Sequence, residues 1–93
     1  MGKQRAQIIA KGRVQGVFFR ASAKQKANEL GITGWVKNKL DGSVEIVAEG
    51  EESTLLAIID WCKTGPADAL VTDVEVDWKE YQAEFVEFKV LYS

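Results

Sequence analysis

The sequence predicts an α+β fold in which two helices cover one face of a mostly antiparallel β-sheet. Five segments alternate apolar and polar residues with the period of a strand, and two segments between them repeat apolar residues at helical spacing. A chain of 93 residues buries little more than ~60% of its unfolded surface, which is enough for one thin core. We therefore expect a single domain spanning residues 1–93.

The first strand, loop and helix are predicted within residues 4–31. Residues 4–11 alternate as a half-buried strand, and a glycine-bearing loop follows at 12–17. The helix begins near Phe19 and stops at Gly31, because glycine commonly ends helices. Its apolar stripe consists of Phe19, Ala23, Ala27 and Leu30.

A β-hairpin is predicted next. Residues 33–37 are rich in β-forming side chains, and Asp41-Gly42 is a strong turn signal. In the second strand of the hairpin one alternating set is Val44, Ile46 and Ala48, and the other is Ser43, Glu45, Val47 and Glu49.

A second helix and two more strands complete the prediction. Acidic residues and Ser53 mark the start of the helix at 51–53, and Gly65-Pro66 ends it. Its apolar face consists of Leu55, Ile58, Ile59 and Cys62, and the strands alternate on Val74, Val76 and Trp78 and on Val86, Phe88, Val90 and Tyr92. This order predicts a ferredoxin-like βαββαβ two-layer sandwich with an additional C-terminal strand, in which the first and third strands are neighbours.

Residue types that are absent from the chain exclude several kinds of chemistry. There is no His, so Ser/His relays and His metal ligands are excluded. Cys62 is the one cysteine, which rules out an intrachain disulfide or a multi-thiolate metal site and fits a reducing cytoplasm. No apolar stretch reaches the ~20 residues of a membrane span, so we expect no membrane partner.

Charge is distributed unevenly along the chain. Residues 1–40 hold nine Lys or Arg against one acid, whereas residues 41–93 hold three against thirteen. If the basic half stays clustered in the fold, it attracts small anions. The same pattern is equally typical of a solvated surface.

The segment from Gly12 to Arg20 joins a strand to the start of a helix. Such a loop leaves several backbone amides unpaired, Gly16 tolerates a left-handed conformation, and Arg20 adds a planar cation that suits phosphate oxygens. These features predict a phosphate cradle, although turn glycines and a solvated Arg have the same spacing. A Walker loop is excluded, because no Gly-Lys-Ser/Thr ends the segment.

Two longer strings resemble the signatures of the acylphosphatase family. The first is Gly12-Arg13-Val14-Gln15-Gly16-Val17-Phe18-Phe19-Arg20. The second is Gly34-Trp35-Val36-Lys37-Asn38-Lys39-Leu40-Asp41-Gly42-Ser43-Val44, followed by Gly50. Both stand in the order and separation of that family, and the resemblance extends over nearly the whole chain.

The resemblance implies hydrolysis of acyl phosphates to a carboxylate and inorganic phosphate, without metal or cofactor. It assigns phosphate binding to Arg20 and to the backbone amides of Gln15, Gly16, Val17, Phe18 and Phe19. It assigns to Asn38 the positioning of the attacking water. A carboxylate is a stable leaving group, so the missing His is chemically reasonable.

Other interpretations remain open from the sequence. A non-catalytic module that binds phosphate for regulation would keep Arg20 and the loop, and an Asn beside a turn often only bonds its own backbone. RNA binding is disfavoured, because residues 4–11 and 43–49 contain no aromatic residue for stacking bases. We expect a monomer. Family chains often end in an aromatic residue whose carboxylate lies near the phosphate-binding Arg, but here Ser93 follows Tyr92, so the role of the carboxylate is left open.

Overall fold

A computed structural model describes residues 2–92 as one five-stranded sheet covered on one face by two helices. The elements are β1 (Lys3–Arg13), α1 (Phe19–Leu30), β2 (Thr33–Asn38), β3 (Val44–Glu51), α2 (Glu52–Cys62), β4 (Leu70–Lys79) and β5 (Phe88–Leu91). The strand order is β4-β1-β3-β2-β5, and every pair is antiparallel except β2 with β5. The predicted sandwich, including the contact between the first and third strands, is confirmed.

The core lies between the sheet and the two helices. Ala6, Ile8 and Ala10 of β1 lie opposite Ala48, Ile46 and Val44 of β3, and all six are buried. The predicted stripes of both helices pack on this face, and the side chains that are buried there are Phe19, Ala23, Ala27, Leu55, Ile58, Ile59 and Cys62. Burial of a large aliphatic side chain contributes about 1.5–3 kcal/mol, so this face supplies most of the hydrophobic stabilisation. Within residues 2–92, neither helix is long and apolar enough to cross a membrane.

The opposite face of β3 is also buried, which the alternation of its residues does not predict. Glu45, Val47 and Glu49 are each less than a tenth exposed. β3 is the central strand of the sheet, so neighbouring side chains cover both of its faces. Gln7 of β1, for example, donates a hydrogen bond of 2.6 Å to Glu45.

Glu49 fixes the loop of residues 80–87, which crosses the end of the sheet from β4 to β5. Its carboxylate accepts hydrogen bonds from the backbone amides of Gln82 at 2.8 Å and Glu84 at 3.0 Å. Arg5 lies 3.4 Å from the same carboxylate and 2.6 Å from that of Glu84. A buried carboxylate is tolerated only when such partners compensate its lost hydration.

Two boundaries differ from the sequence expectation. α2 ends at Cys62, and the amides of Lys63 and Thr64 form a turn onto Asp60 and Trp61 before Gly65 is reached. β5 is limited to four residues, because its partner β2 ends at Asn38. Val86 and Tyr92, predicted to belong to that strand, lie outside it and are 93% and 81% exposed.

Replacement of Glu49 by Ala should lower the free energy of unfolding by about 3 kcal/mol, because Arg5 and two loop amides lose their partner. Urea denaturation measures this change. Glu51→Ala is the control: this exposed residue ends the same strand, and its side chain makes no capping bond to α2. An equal loss in both variants would contradict the role given to Glu49.

Candidate active site

A cleft of about 280 Å³ opens where β1 leads into α1 and where β2 and β5 end. The predicted site segments therefore meet in space although they are separated in sequence. Residues that line the cleft are Val14, Gly16, Phe18, Phe19, Arg20, Ala21, Asn38 and Tyr92.

The loop between β1 and α1 has alternating backbone handedness. Gly16 and Phe18 have φ of 75° and 65°, whereas Gln15 and Val17 have negative φ. Alternation of this kind turns successive N–H groups toward one concave side and forms an anion-binding nest. Within residues 2–92, the amides of residues 15–18 donate no backbone hydrogen bond.

The N-terminus of α1 adds further unpaired donors. The Ser22 amide makes a helical bond of 3.0 Å to the Phe18 carbonyl. The amides of Phe19, Arg20 and Ala21 precede it and have no acceptor within the helix. No side chain caps this end, so its partial positive charge faces the cleft.

Three apolar anchors hold this loop in place. Val14, Val17 and Phe19 are all less than a tenth exposed and belong to the core. The Phe19 ring packs against Trp61 of α2, with ring centroids 5.2 Å apart. Of the residues predicted to bind phosphate through their amides, Gly16, Phe18 and Phe19 line the cleft, whereas Gln15 and Val17 do not.

Arg20 supplies the positive charge of the cleft. Its guanidinium carbon lies 4.8 Å from the ring centroid of Tyr92, and no carboxylate of residues 2–92 forms an ion pair with it. An aromatic face orients a cation without neutralising it. No local pattern indicates this contact, because the alternation of residues predicts that Tyr92 continues a strand. The carboxylate of Ser93 lies outside the described residues.

The rest of the basic half is not one continuous positive surface. Arg5 pairs with Glu49 and Glu84, and Lys11 pairs with Glu75 at 2.9 Å. These acids come from the acidic half of the chain, so two of the four basic residues of β1 are paired with acids from other segments.

Asn38 brings an unpaired acceptor to the same cleft. Its side-chain Oδ1 is buried and accepts no hydrogen bond from residues 2–92. An unsatisfied buried oxygen costs about 1–3 kcal/mol, so such groups need a functional or structural explanation. An O–H group that enters the cleft is a suitable donor for this oxygen.

The Gln15 side chain connects the amide loop to the hairpin that carries Asn38. Its Nε2 donates to the backbone carbonyls of Lys39 at 2.7 Å and Ser43 at 2.8 Å. The Lys39 amide donates to the same Ser43 carbonyl, which closes the turn. The sequence predicts a role for the Gln15 amide but not for its side chain, because a long amide-bearing residue in a short loop is only a weak signal of such contacts.

Asp41 supports the hairpin turn from its other side. Its Oδ1 accepts hydrogen bonds from the Ser43 hydroxyl at 2.6 Å and the Ser43 amide at 2.9 Å. These bonds favour the charged form and lower the pKa of Asp41. The turn is thereby held on both sides, directly after Asn38.

Among residues 2–92, the cleft lining provides hydrogen-bond donors and the side-chain oxygens of Asn38 and Tyr92, but no carboxylate, thiol or imidazole. Cys62 is buried elsewhere, and burial raises the pKa of its thiol to about 12, so it is no nucleophile at neutral pH. No group of three or more His, Cys, Asp or Glu within residues 2–92 could hold a metal ion. The arrangement is suited to binding an oxyanion and orienting a water molecule.

Comparisons with known proteins agree with this geometry. The family model described as Acylphosphatase matches residues 6–90. A protein of Pyrobaculum calidifontis named "Acylphosphatase" is 50% identical over 88 residues, covering 94% of this chain and 80% of that protein. One of Methylococcus capsulatus with the same name is also 50% identical, covering 95% of this chain and 96% of the relative. The crystal structure of acylphosphatase from Bacillus subtilis superimposes with a TM-score of 0.92 at 38% identity, covering 96% and 99% of the two chains.

Gly16→Ala should weaken binding of inorganic phosphate at least ~fivefold, because a Cβ and a strained positive φ disturb the converging amides. Isothermal titration calorimetry measures the dissociation constant. Gly31→Ala is the matched control: Gly31 ends α1 with φ of 71° and has equally open surroundings. Both variants should lose about 1–2 kcal/mol of stability. Equal phosphate affinity in the two would contradict the nest.

Gln15→Leu should lower kcat about tenfold with a smaller change in KM, because the hairpin carrying Asn38 loses two anchoring bonds while the loop amides remain. Gln7→Leu serves as the control. It removes the side-chain hydrogen bond from Gln7 to Glu45 of β3, and Gln7 does not line the cleft. Steady-state kinetics on an acyl phosphate, with urea denaturation of both variants, separates positioning from stability. A kcat loss that tracks stability in both would overturn this role.

Proposed function

Because this chain belongs to the acylphosphatase family, we propose that the cleft at the N-terminus of α1 is the active site in which it hydrolyses acyl phosphates. The reaction yields a carboxylate and inorganic phosphate. Its substrate is a small molecule with a mixed carboxylic-phosphoric anhydride. The observation that carries the assignment is the meeting, in one cleft, of unpaired amides, Arg20 and an unpaired Asn38 oxygen.

The phosphoryl group binds to the backbone amides of Gln15, Gly16, Val17, Phe18 and Phe19 and to the Arg20 guanidinium. Fixed donors of this kind stabilise the charge on the equatorial oxygens of a phosphoryl transition state without reorganising during the reaction. The face of the Tyr92 ring supports the guanidinium. That support keeps the cation oriented while leaving its hydrogen-bond donors for the substrate.

Asn38 positions the water that attacks phosphorus. Its Oδ1 accepts a hydrogen bond from the water, which leaves a lone pair of the water oxygen directed at the phosphoryl group. Attack forms the new P–O bond in line with the bond between phosphorus and the acyl oxygen. That bond breaks, and the carboxylate leaves with its electron pair. The proton lost by the water passes to a phosphate oxygen.

The leaving group explains why the site manages without an acid. A carboxylate is stable at neutral pH, so no side chain has to protonate it as it departs. Among residues 2–92, the titratable groups of the cleft lining are Arg20 and Tyr92. Catalysis therefore consists of orientation and charge stabilisation.

We also propose that the chain acts as a monomer in the reducing cytoplasm. The buried free thiol of Cys62 fits such a compartment. The exposed edge strand β4 places Asp73, Glu75 and Asp77 on one face. Charges along an edge disfavour pairing with a second copy.

Arg20→Ala and Asn38→Ala should each lower turnover of benzoyl phosphate at least ~100-fold, a common effect of removing one preorganised transition-state contact. Hydrolysis is followed in the presence of EDTA. The controls are Arg13→Ala and Asn28→Ala, which change the same residue types outside the cleft. Near wild-type rates in both site variants would show that the assignment is wrong.

Phosphate binding separates the two roles. Arg20→Ala should weaken competitive inhibition by inorganic phosphate, because it removes a charge that contacts the phosphoryl group. Asn38→Ala should largely spare that inhibition, because its partner is the water. Equal effects of the two substitutions on phosphate inhibition would contradict this division.

A further inference from the structure

Phe18 exposes a large apolar ring at the mouth of the cleft. Its side chain is 77% exposed, and it does not belong to the hydrophobic core. Within residues 2–92 the ring forms no aromatic pair and no contact with a cation. The fold therefore gains little from this side chain.

The backbone conformation makes the presence of Phe at this position more informative. Phe18 has φ of 65°, a left-handed conformation that strains most residues other than Gly, Asn or Asp. Two residues earlier, the same left-handed conformation occurs at Gly16, where a glycine adopts it without strain. The anion nest needs only the left-handed backbone at position 18, so the ring serves a separate purpose.

The phosphoryl group and the acyl group of the substrate occupy different parts of the cleft, and this separation indicates the purpose of the Phe18 ring. Amides and Arg20 take the phosphoryl group, and in-line attack puts the departing acyl group on the side of phosphorus opposite the water at Asn38. The exposed apolar side chains of the cleft lining are Phe18 and Tyr92. Tyr92 already stacks on Arg20, whereas Phe18 has an unoccupied face.

We propose that the Phe18 side chain is a specificity-determining contact for the acyl group and favours substrates with an aromatic acyl group over acetyl phosphate. This inference rests on the proposed active site. A flat ring presents an apolar face to a benzoyl group, and a contact between two aromatic rings contributes beyond the burial of area. An acetyl group covers too little of the ring to gain as much.

The test compares kcat/KM for benzoyl phosphate with that for acetyl phosphate. Phe18→Asn removes the ring and keeps a residue that tolerates positive φ. The ratio of benzoyl to acetyl kcat/KM should fall about fivefold, the effect of losing an aromatic contact. In Phe18→Tyr, which keeps the ring, the ratio should stay within about twofold of wild type. A ratio that does not change in Phe18→Asn would overturn the proposal.

Val86→Asn is the matched control. Val86 is 93% exposed and precedes β5 at the end of the sheet where β2 begins, away from Asn38. If this substitution lowers the ratio as much as Phe18→Asn, the effect is not specific to the cleft and the proposal fails. The outcome is distinct from failure of the active-site assignment, which appears as undiminished turnover in Arg20→Ala and Asn38→Ala.

A measurement on the wild-type protein does not depend on the folding of any variant. Phenylphosphonate and methylphosphonate are non-hydrolysable anions that differ in the group attached to phosphorus. Phenylphosphonate should inhibit acetyl phosphate hydrolysis competitively with an inhibition constant about fivefold lower than that of methylphosphonate. Equal inhibition constants would overturn the proposal.

Discussion

The backbone of residues 15–18 is the constraint on which the site depends. Within residues 2–92, four successive amides remain without backbone partners there. The surrounding structure enforces this state through the buried side chains of Val14, Val17 and Phe19. Gly65 contributes as well, because a Cβ at that position would come within 2.9 Å of the Phe19 ring. Apolar packing thus holds the backbone in a conformation that leaves these N–H groups unpaired.

Stability and chemistry occupy opposite ends of the sheet. At one end the Glu49 carboxylate satisfies the amides of the 80–87 loop with a charge that belongs to the chain. At the other end, the amides of residues 15–18 donate no hydrogen bond to the backbone of residues 2–92. In the proposed active site, phosphate oxygens would pair with backbone N–H groups as the oxygens of the Glu49 carboxylate do at the other end. The Gln15 side chain, with its bonds to Lys39 and Ser43, connects the loop of residues 15–18 to the hairpin that carries Asn38.

Residue periodicity was sufficient to predict the order of the elements and the core face, because the spacing of apolar side chains along a strand or helix is a local property of the chain. It could not predict that Glu49 is buried, since that depends on β3 being central and on a loop that lies more than thirty residues later. The glycine and arginine of the loop predicted an anion site from local chemistry. Gln15 and Tyr92 act through contacts with segments distant in sequence, and no local pattern indicates such partners.

The sheet order also affects how the molecule reaches its folded state. β1 pairs with β3 and with β4, so the first strand acquires partners from the middle and the last third of the chain. Topologies dominated by such distant pairings fold in milliseconds to seconds rather than microseconds. β5 docks in parallel on β2 and brings Tyr92 to Arg20. Tyr92 lines the cleft, so the cleft that we propose as the active site is complete only after β5 has docked, and a nascent or partly folded chain lacks it.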